Sequence, residues 1–180
     1  MNKAELRKGL QRLKEYLAGQ EFESMLLEEG EEAALDSLIL PLEINEELSL
    51  DISCNFVHVP EFGDMLQYYG HLEVDELFAE NPESFTEFNV LQLLNALNQM
   101  IPVGQFLFMQ DQAEGEEQNV IGIRYTVLTA LDNEIEMEKC VSVIKFLMHI
   151  YELLCSSLVL LLEGETVQNA LYIIGDVINL

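Results

Sequence analysis

The chain has 180 residues, 49% of them apolar, with nine Phe and six Tyr, which is enough to fill one ordinary hydrophobic core. Its 33 acidic residues face 8 basic ones, a formal net charge of -25. That field repels nucleic acid and anionic membrane and excludes both as partners, while the aromatic and branched residues exclude a disordered acidic chain.

The charge is unevenly placed. Lys3, Arg7, Lys8, Arg12 and Lys14 put five of the eight cations into the first fourteen residues, and only Arg124, Lys139 and Lys145 follow. Residues 2–18 have the spacing of a helix, with Leu6, Leu10, Leu13 and Leu17 forming a narrow apolar stripe between the charges. These four leucines with Arg7, Lys8, Arg12 and Lys14 are the candidate interaction surface. Either this basic amphipathic helix docks on an acidic body, its own or that of a second copy, or the body recruits basic partners that the helix partly mimics.

Gln20 to Glu32 is an acidic connector around Gly30, with room for a helical turn through Ser24 to Leu27. Leu38 to Ile44 is a first strand, which Pro41 pushes toward an edge. Leu48, Leu50, Ile52, Cys54 and Phe56 then alternate strictly with Ser49, Asp51, Ser53 and Asn55, the period of a half-buried strand whose apolar side faces the helices. The link Asn45-Glu46-Glu47 suits an antiparallel hairpin. Met65 to Val74 is a third strand, with Gly70 as the position for a bulge.

The acidic stretch Asp75 to Glu83 reads as a connector. A helix follows, with Phe88, Leu91, Leu94, Leu97 and Ile101 as its core face and Pro102 beyond its end. Gln105 to Gln110 and Asn119 to Leu131 are two more strands, joined by the acidic turn Asp111 to Gln118. A long helix runs from Glu134 to Glu163, with Val141, Ile144, Phe146, Leu147, Ile150, Leu154, Leu158 and Leu161 as core positions and Gly164 as its stop. Its stretch from Val141 to Leu162 is the most apolar of the chain, but Lys145, His149 and Glu152 within it favour a buried core helix over a membrane span. Thr166 is placed to cap an added final helix over 164–180 carrying Val167, Leu171, Ile174 and Ile178. The expectation is one α+β domain over 1–180 in the order α-β-β-β-α-β-β-α-α, with an antiparallel sheet of about five strands covered on one face.

Catalysis needs converging groups, and the sequence offers no nucleophile and base pair, metal-ligand spacing or phosphate loop. His58, His71 and His149 stand apart, and Ser156 and Ser157 read as helix hydroxyls bonded back to their own backbone. Cys54, Cys140 and Cys155 have no CxxC spacing. On one helix the last two lie about 22 Å apart, too far for a disulfide, so all three read as small buried hydrophobes of a reducing compartment. No enzyme activity, catalytic residue, cofactor or metal is expected. With no apolar leader after the charged N-terminus, the expected location is cytoplasmic.

Three phrases, LLNALNQMIPVGQFLF (Leu93 to Phe108), IGIRYTVLTAL (Ile121 to Leu131) and EMEKCVSVIKFLMHIYELL (Glu136 to Leu154), resemble the YbjN and type III secretion chaperone-like group. In that group a helix leads through a Gly into a short strand, a second strand carries an arginine-and-aromatic step like Arg124-Tyr125, and a long helix follows. The resemblance covers about 75 residues by phrase; the acidic hairpin and the C-terminal helix depart from it. It implies a type III secretion chaperone-like α+β domain, commonly a homodimer, with no active site and a surface that receives another polypeptide. Two functions are therefore expected to compete. One is a chaperone-like or regulatory module holding a polypeptide partner, which is basic or partly unfolded. The other is an acidic inhibitor or immunity-type protein that caps a basic partner or mimics nucleic acid.

Overall fold

A computed structural model describes residues 3–30, 33–43, 49–101, 103–113, 116–129, 131 and 133–178. In chain order they form helix α1 (Lys3–Ala18), strands β1 (Met25–Leu27), β2 (Ser37–Glu43), β3 (Ser49–Val59) and β4 (Gly63–Glu73), helices α2 (Asp75–Glu80) and α3 (Glu87–Met100), strands β5 (Gln105–Ala113) and β6 (Glu116–Val127), and helices α4 (Glu134–Leu162) and α5 (Val167–Ile178). The chain is α+β, with one antiparallel sheet in the order β1-β2-β3-β4-β6-β5. The sheet has six strands rather than five. β1 occupies the segment read as a connector with a helical turn, because Met25, Leu26 and Leu27 pair with Ile39, Leu38 and Ser37. α2 likewise occupies the segment read as a connector. Two compact units divide the chain, Met1–Gly70 with Arg124–Met148 and His71–Ile123 with His149–Leu180.

In the first unit the alternation of β3 sets the core. Leu50, Ile52, Cys54 and Phe56 are buried while Asp51 is exposed, so the apolar set has one side of the strand to itself. Leu48 lies outside the described residues, as does the Asn45-Glu46-Glu47 link, although the pairing of Ser37 with Asn55 through Glu43 with Ser49 is that of an antiparallel pair. Leu38, Cys54 and Tyr68 form one row across β2, β3 and β4, and all three are fully buried. Gly70 continues the same register opposite Ile52, so the β3 and β4 pairing has no bulge there. Pro41 sits in an inner strand, yet β1 reaches only as far as Ile39, so the missing N–H of Pro41 faces no ladder on that side. α1 packs on β1, β2 and β3.

In the second unit α3 starts at Thr86, whose hydroxyl accepts from the Asn89 N–H at 3.2 Å. The helix buries Val90, Leu93, Leu94 and Leu97, whereas Phe88 and Leu91 are 67% and 43% exposed. The core face is therefore turned from the expected one. The cause is its neighbours: α3 packs on β5 and α5, and those contacts select among apolar residues that occupy more than half of its circumference. Asn98 brackets the start of β5, donating to the Phe106 carbonyl at 3.0 Å and accepting from its N–H at 2.7 Å. Four consecutive residues of β6, Val120 to Ile123, are buried, so neither face of the sheet is open there, contrary to the one-sided cover expected.

α2 is held by Asp75, which accepts from the Asn119 N–H at 3.0 Å and side-chain amide at 2.7 Å, and by an edge contact of Phe78 with Phe85. The expected turn Asp111 to Gln118 is mostly strand, since β5 runs to Ala113 and β6 starts at Glu116; Glu114 and Gly115 lie outside the described residues. α4 is long and apolar enough to cross a membrane by length and composition. Its apolar residues from Met137 to Leu161 are nevertheless largely buried within the protein, with Phe146 only half-buried. Ser156 and Ser157 donate to the Glu152 and Leu153 carbonyls at 2.9 and 2.6 Å. Gly164, just past the end of α4, has a φ of 89° that lets Glu165 N–H reach the Leu160 carbonyl at 2.9 Å and close the last turn. Thr166 then caps α5, accepting from the Asn169 N–H at 3.2 Å. Val167 and Leu171 are half-buried, while the side chains of Ile174 and Ile178 lie outside the described set.

Candidate binding pocket

The basic helix is seated on its own chain. Leu10, Leu13 and Leu17 are buried and Leu6 is half-buried. Lys3 Nζ lies 2.8 Å from Glu29 Oε2, and Arg7 pairs with Glu28. The acidic connector thus receives the first two cations, and Glu29 is the main influence raising the Lys3 pKa. Leu6 and Leu10 share a shallow depression with Leu35 and Phe56, so the stripe continues the β3 core. Lys8 is exposed, Lys14 is half-buried beside Glu21 and Glu23, and Arg12 Nε is buried without a hydrogen-bond partner.

A second feature of the same unit has no counterpart in the sequence reading. It is a pocket of about 370 Å³ lined by Tyr68 of β4, Tyr125 and Val127 of β6, Leu128 and Thr129 after it, and Glu136, Lys139, Cys140, Ser142 and Val143 of α4. Local structure explains each wall. The alternation of β4 turns Leu66 and Tyr68 inward. Thr129 Oγ1 accepts from the Leu131 N–H at 3.2 Å and so fixes the loop, which turns through a positive φ of 53° at the buried Leu131. Asn133 caps α4 by accepting from the Glu136 N–H at 3.1 Å. With that start fixed, Glu136, Lys139, Cys140 and Val143 fall on one helical face at spacings of three, one and three.

The floor is apolar and chemically quiet. Tyr68 and Tyr125 have ring centroids 6.1 Å apart at a 34° tilt. The Tyr68 hydroxyl is buried and makes no well-aligned hydrogen bond, although the Cys140 thiol lies close enough for each to influence the other's ionisation. Burial raises the pKa of Tyr68 far above its usual value, with the charges of Cys140 and Cys54 adding to the shift. Burial likewise raises Cys54 and Cys140, and it pushes Cys155 up to about 12. None of these thiols is an activated nucleophile, because the thiolate is the reactive form.

The histidines occupy three elements. His58 of β3 contacts Asp64 at 3.0 Å, His71 is exposed on β4, and His149 of α4 lies 3.9 Å from Glu152. Among the described residues no group of three or more His, Cys, Asp or Glu side chains is placed to hold a metal. The pocket can therefore bind by shape, apolar contact and rim charge. No protein-family model, curated protein or solved structure compared with the chain matches it.

Proposed function

We propose that the chain is a non-enzymatic, cytoplasmic protein-binding module, chaperone-like or regulatory, that holds a basic or partly unfolded polypeptide and works as a homodimer. The observation that carries this reading is the way the protein treats its own basic helix. Leu10, Leu13 and Leu17 go inward and Lys3 and Arg7 rest on Glu29 and Glu28, which is how an acidic surface receives an amphipathic basic segment. With 8 cations against 33 acids the chain cannot neutralise itself, and that excess of negative charge is an attraction for a basic partner. The resemblance of the phrases from Leu93 to Leu154 to the YbjN and type III secretion chaperone-like group supports the same reading.

The test is binding of a permanently unfolded, lysine-rich polypeptide to the full chain across a salt series. Binding that survives from about 0.15 M to about 1 M salt supports apolar holding, since charge contacts alone are screened within a few ångströms at the upper limit. Steep loss with salt favours the inhibitor or nucleic-acid-mimic reading. Absence of binding at any salt removes both.

A further inference from the structure

We infer that the outward face of α3, together with the open edge of β5, is the surface on which a second copy of this chain docks about a two-fold axis. This rests on the homodimer in the reading above and names the surface that makes it.

Charge selects the occupant. The chain has 33 acidic and 8 basic residues, yet the run from Phe88 to Gln110 carries none of them, and no other charge-free run exceeds ten residues. That run holds all of α3 after Glu87 and β5 as far as Gln110. Two copies, each with a net charge of -25, repel one another, and their approach costs least where neither presents a charge. A basic polypeptide finds no carboxylate between Phe88 and Gln110 to draw it there.

Geometry supplies the contact. Val90, Leu93, Leu94 and Leu97 of α3 go inward, and Phe88, Leu91, Gln92, Asn95 and Gln99 are exposed on the opposite side, two large apolar side chains among amides. Leu91 precedes Asn98 by seven residues, about two turns, so it lies on the side from which Asn98 reaches the backbone of Phe106. β5 is the last strand of the sheet, with β6 on its other side. Because Asn98 takes both the N–H and the carbonyl of Phe106, those groups point away from β6, and strand alternation points those of Phe108 the same way. An open edge of this kind pairs antiparallel with its own copy, and the same two-fold axis brings α3, which packs on β5, against its equivalent. Two exposed apolar side chains per copy and a short ladder make a modest interface, with a dissociation constant on the order of 1 to 100 μM. Well below that concentration Phe88 and Leu91 stand in water.

The test is sedimentation equilibrium of the full chain across concentration, from about 0.05 M to about 1 M salt. The dimer should tighten at least about threefold as salt rises, because screening removes the repulsion while the contact has no charges to lose. Phe88→Asp with Leu91→Asp, at exposed sites that leave the fold intact, should weaken the dimer by about tenfold or more, and Leu128→Asp, exposed after β6, should leave it unchanged. Hydrogen exchange reads the strand: the Phe108 amide should be better protected at high concentration than at low in the wild type, and equally at both in the double variant. The proposal is overturned if the double variant dimerises like the wild type, if Leu128→Asp weakens the dimer as much, if the dimer weakens as salt rises, or if protection of Phe108 ignores concentration. A dimer that survives the double variant leaves the homodimer standing on another surface. A wild-type chain that stays monomeric removes the homodimer as well, and binding of the unfolded basic polypeptide to that monomer would leave its holding role in place.

Discussion

The two amphipathic helices α1 and α3 differ in how firmly their sequences choose a buried face. In α1 seven charged residues flank the four leucines, so the leucine stripe has one way in, and Leu10, Leu13 and Leu17 are 1%, 0% and 0% exposed. In α3 the segment EFNVLQLLNALNQM spreads apolar residues around most of the helix and carries one formal charge. Its own pattern permits several buried faces, and Phe88 and Leu91 are left outside. Charge thus does the choosing in one helix and neighbouring elements in the other.

Truncation measures that difference most directly. Leu13→Ala should cost about 2 to 5 kcal/mol in denaturant unfolding, the range for emptying a packed leucine site, while Leu91→Ala should stay within about 1 kcal/mol. Equal costs would break the comparison. Phe88→Ser sharpens it, because a change at a side chain 67% exposed should move the unfolding midpoint by about 0.5 kcal/mol or less, whereas a large loss would mean that the residue is covered in solution, by a second copy or a partner. Removing the cap of α3 by Thr86→Ala should cost about 1 kcal/mol, because the Asn89 N–H loses its acceptor at the start of the helix. The smallest effect belongs to the ion pairs of α1. Lys3 and Arg7 are well exposed, so Lys3→Gln with Arg7→Gln should shift the melting temperature only slightly, and less at high salt than at low. A shift independent of salt would assign their role to packing.

Strict patterns were readable. The nine-residue alternation around Ile52 placed Asp51 outside and Cys54 inside, and the Thr166 cap and Gly164 stop lie where their chemistry suggested. Short elements were not. β1 is three residues without alternation, and only its pairing with Leu38 and its neighbours makes it a strand. α2 begins at Val74 without a side-chain cap and depends on Asn119, 44 residues away in sequence, to hold Asp75. The pocket escaped for the same reason. Tyr68, Tyr125 and Val143 come from three distant segments, and each alone reads as an ordinary core or strand residue. Leu128 gave no local signal either, because the segment Asn119 to Leu131 reads as one strand; only the structure ends β6 at Val127 and leaves Leu128 exposed.

By itself the sequence determined the α+β class, the acidic character, the leucine stripe of α1 and the facing of β3. All of these follow from periodicity and charge, which act between residues a few positions apart. Tertiary structure alone decided the sixth strand, the face that α3 buries and the pocket beside α4. Each depends on which distant segments meet, and the free energy that selects among comparable apolar faces is contact and burial available only once they have met.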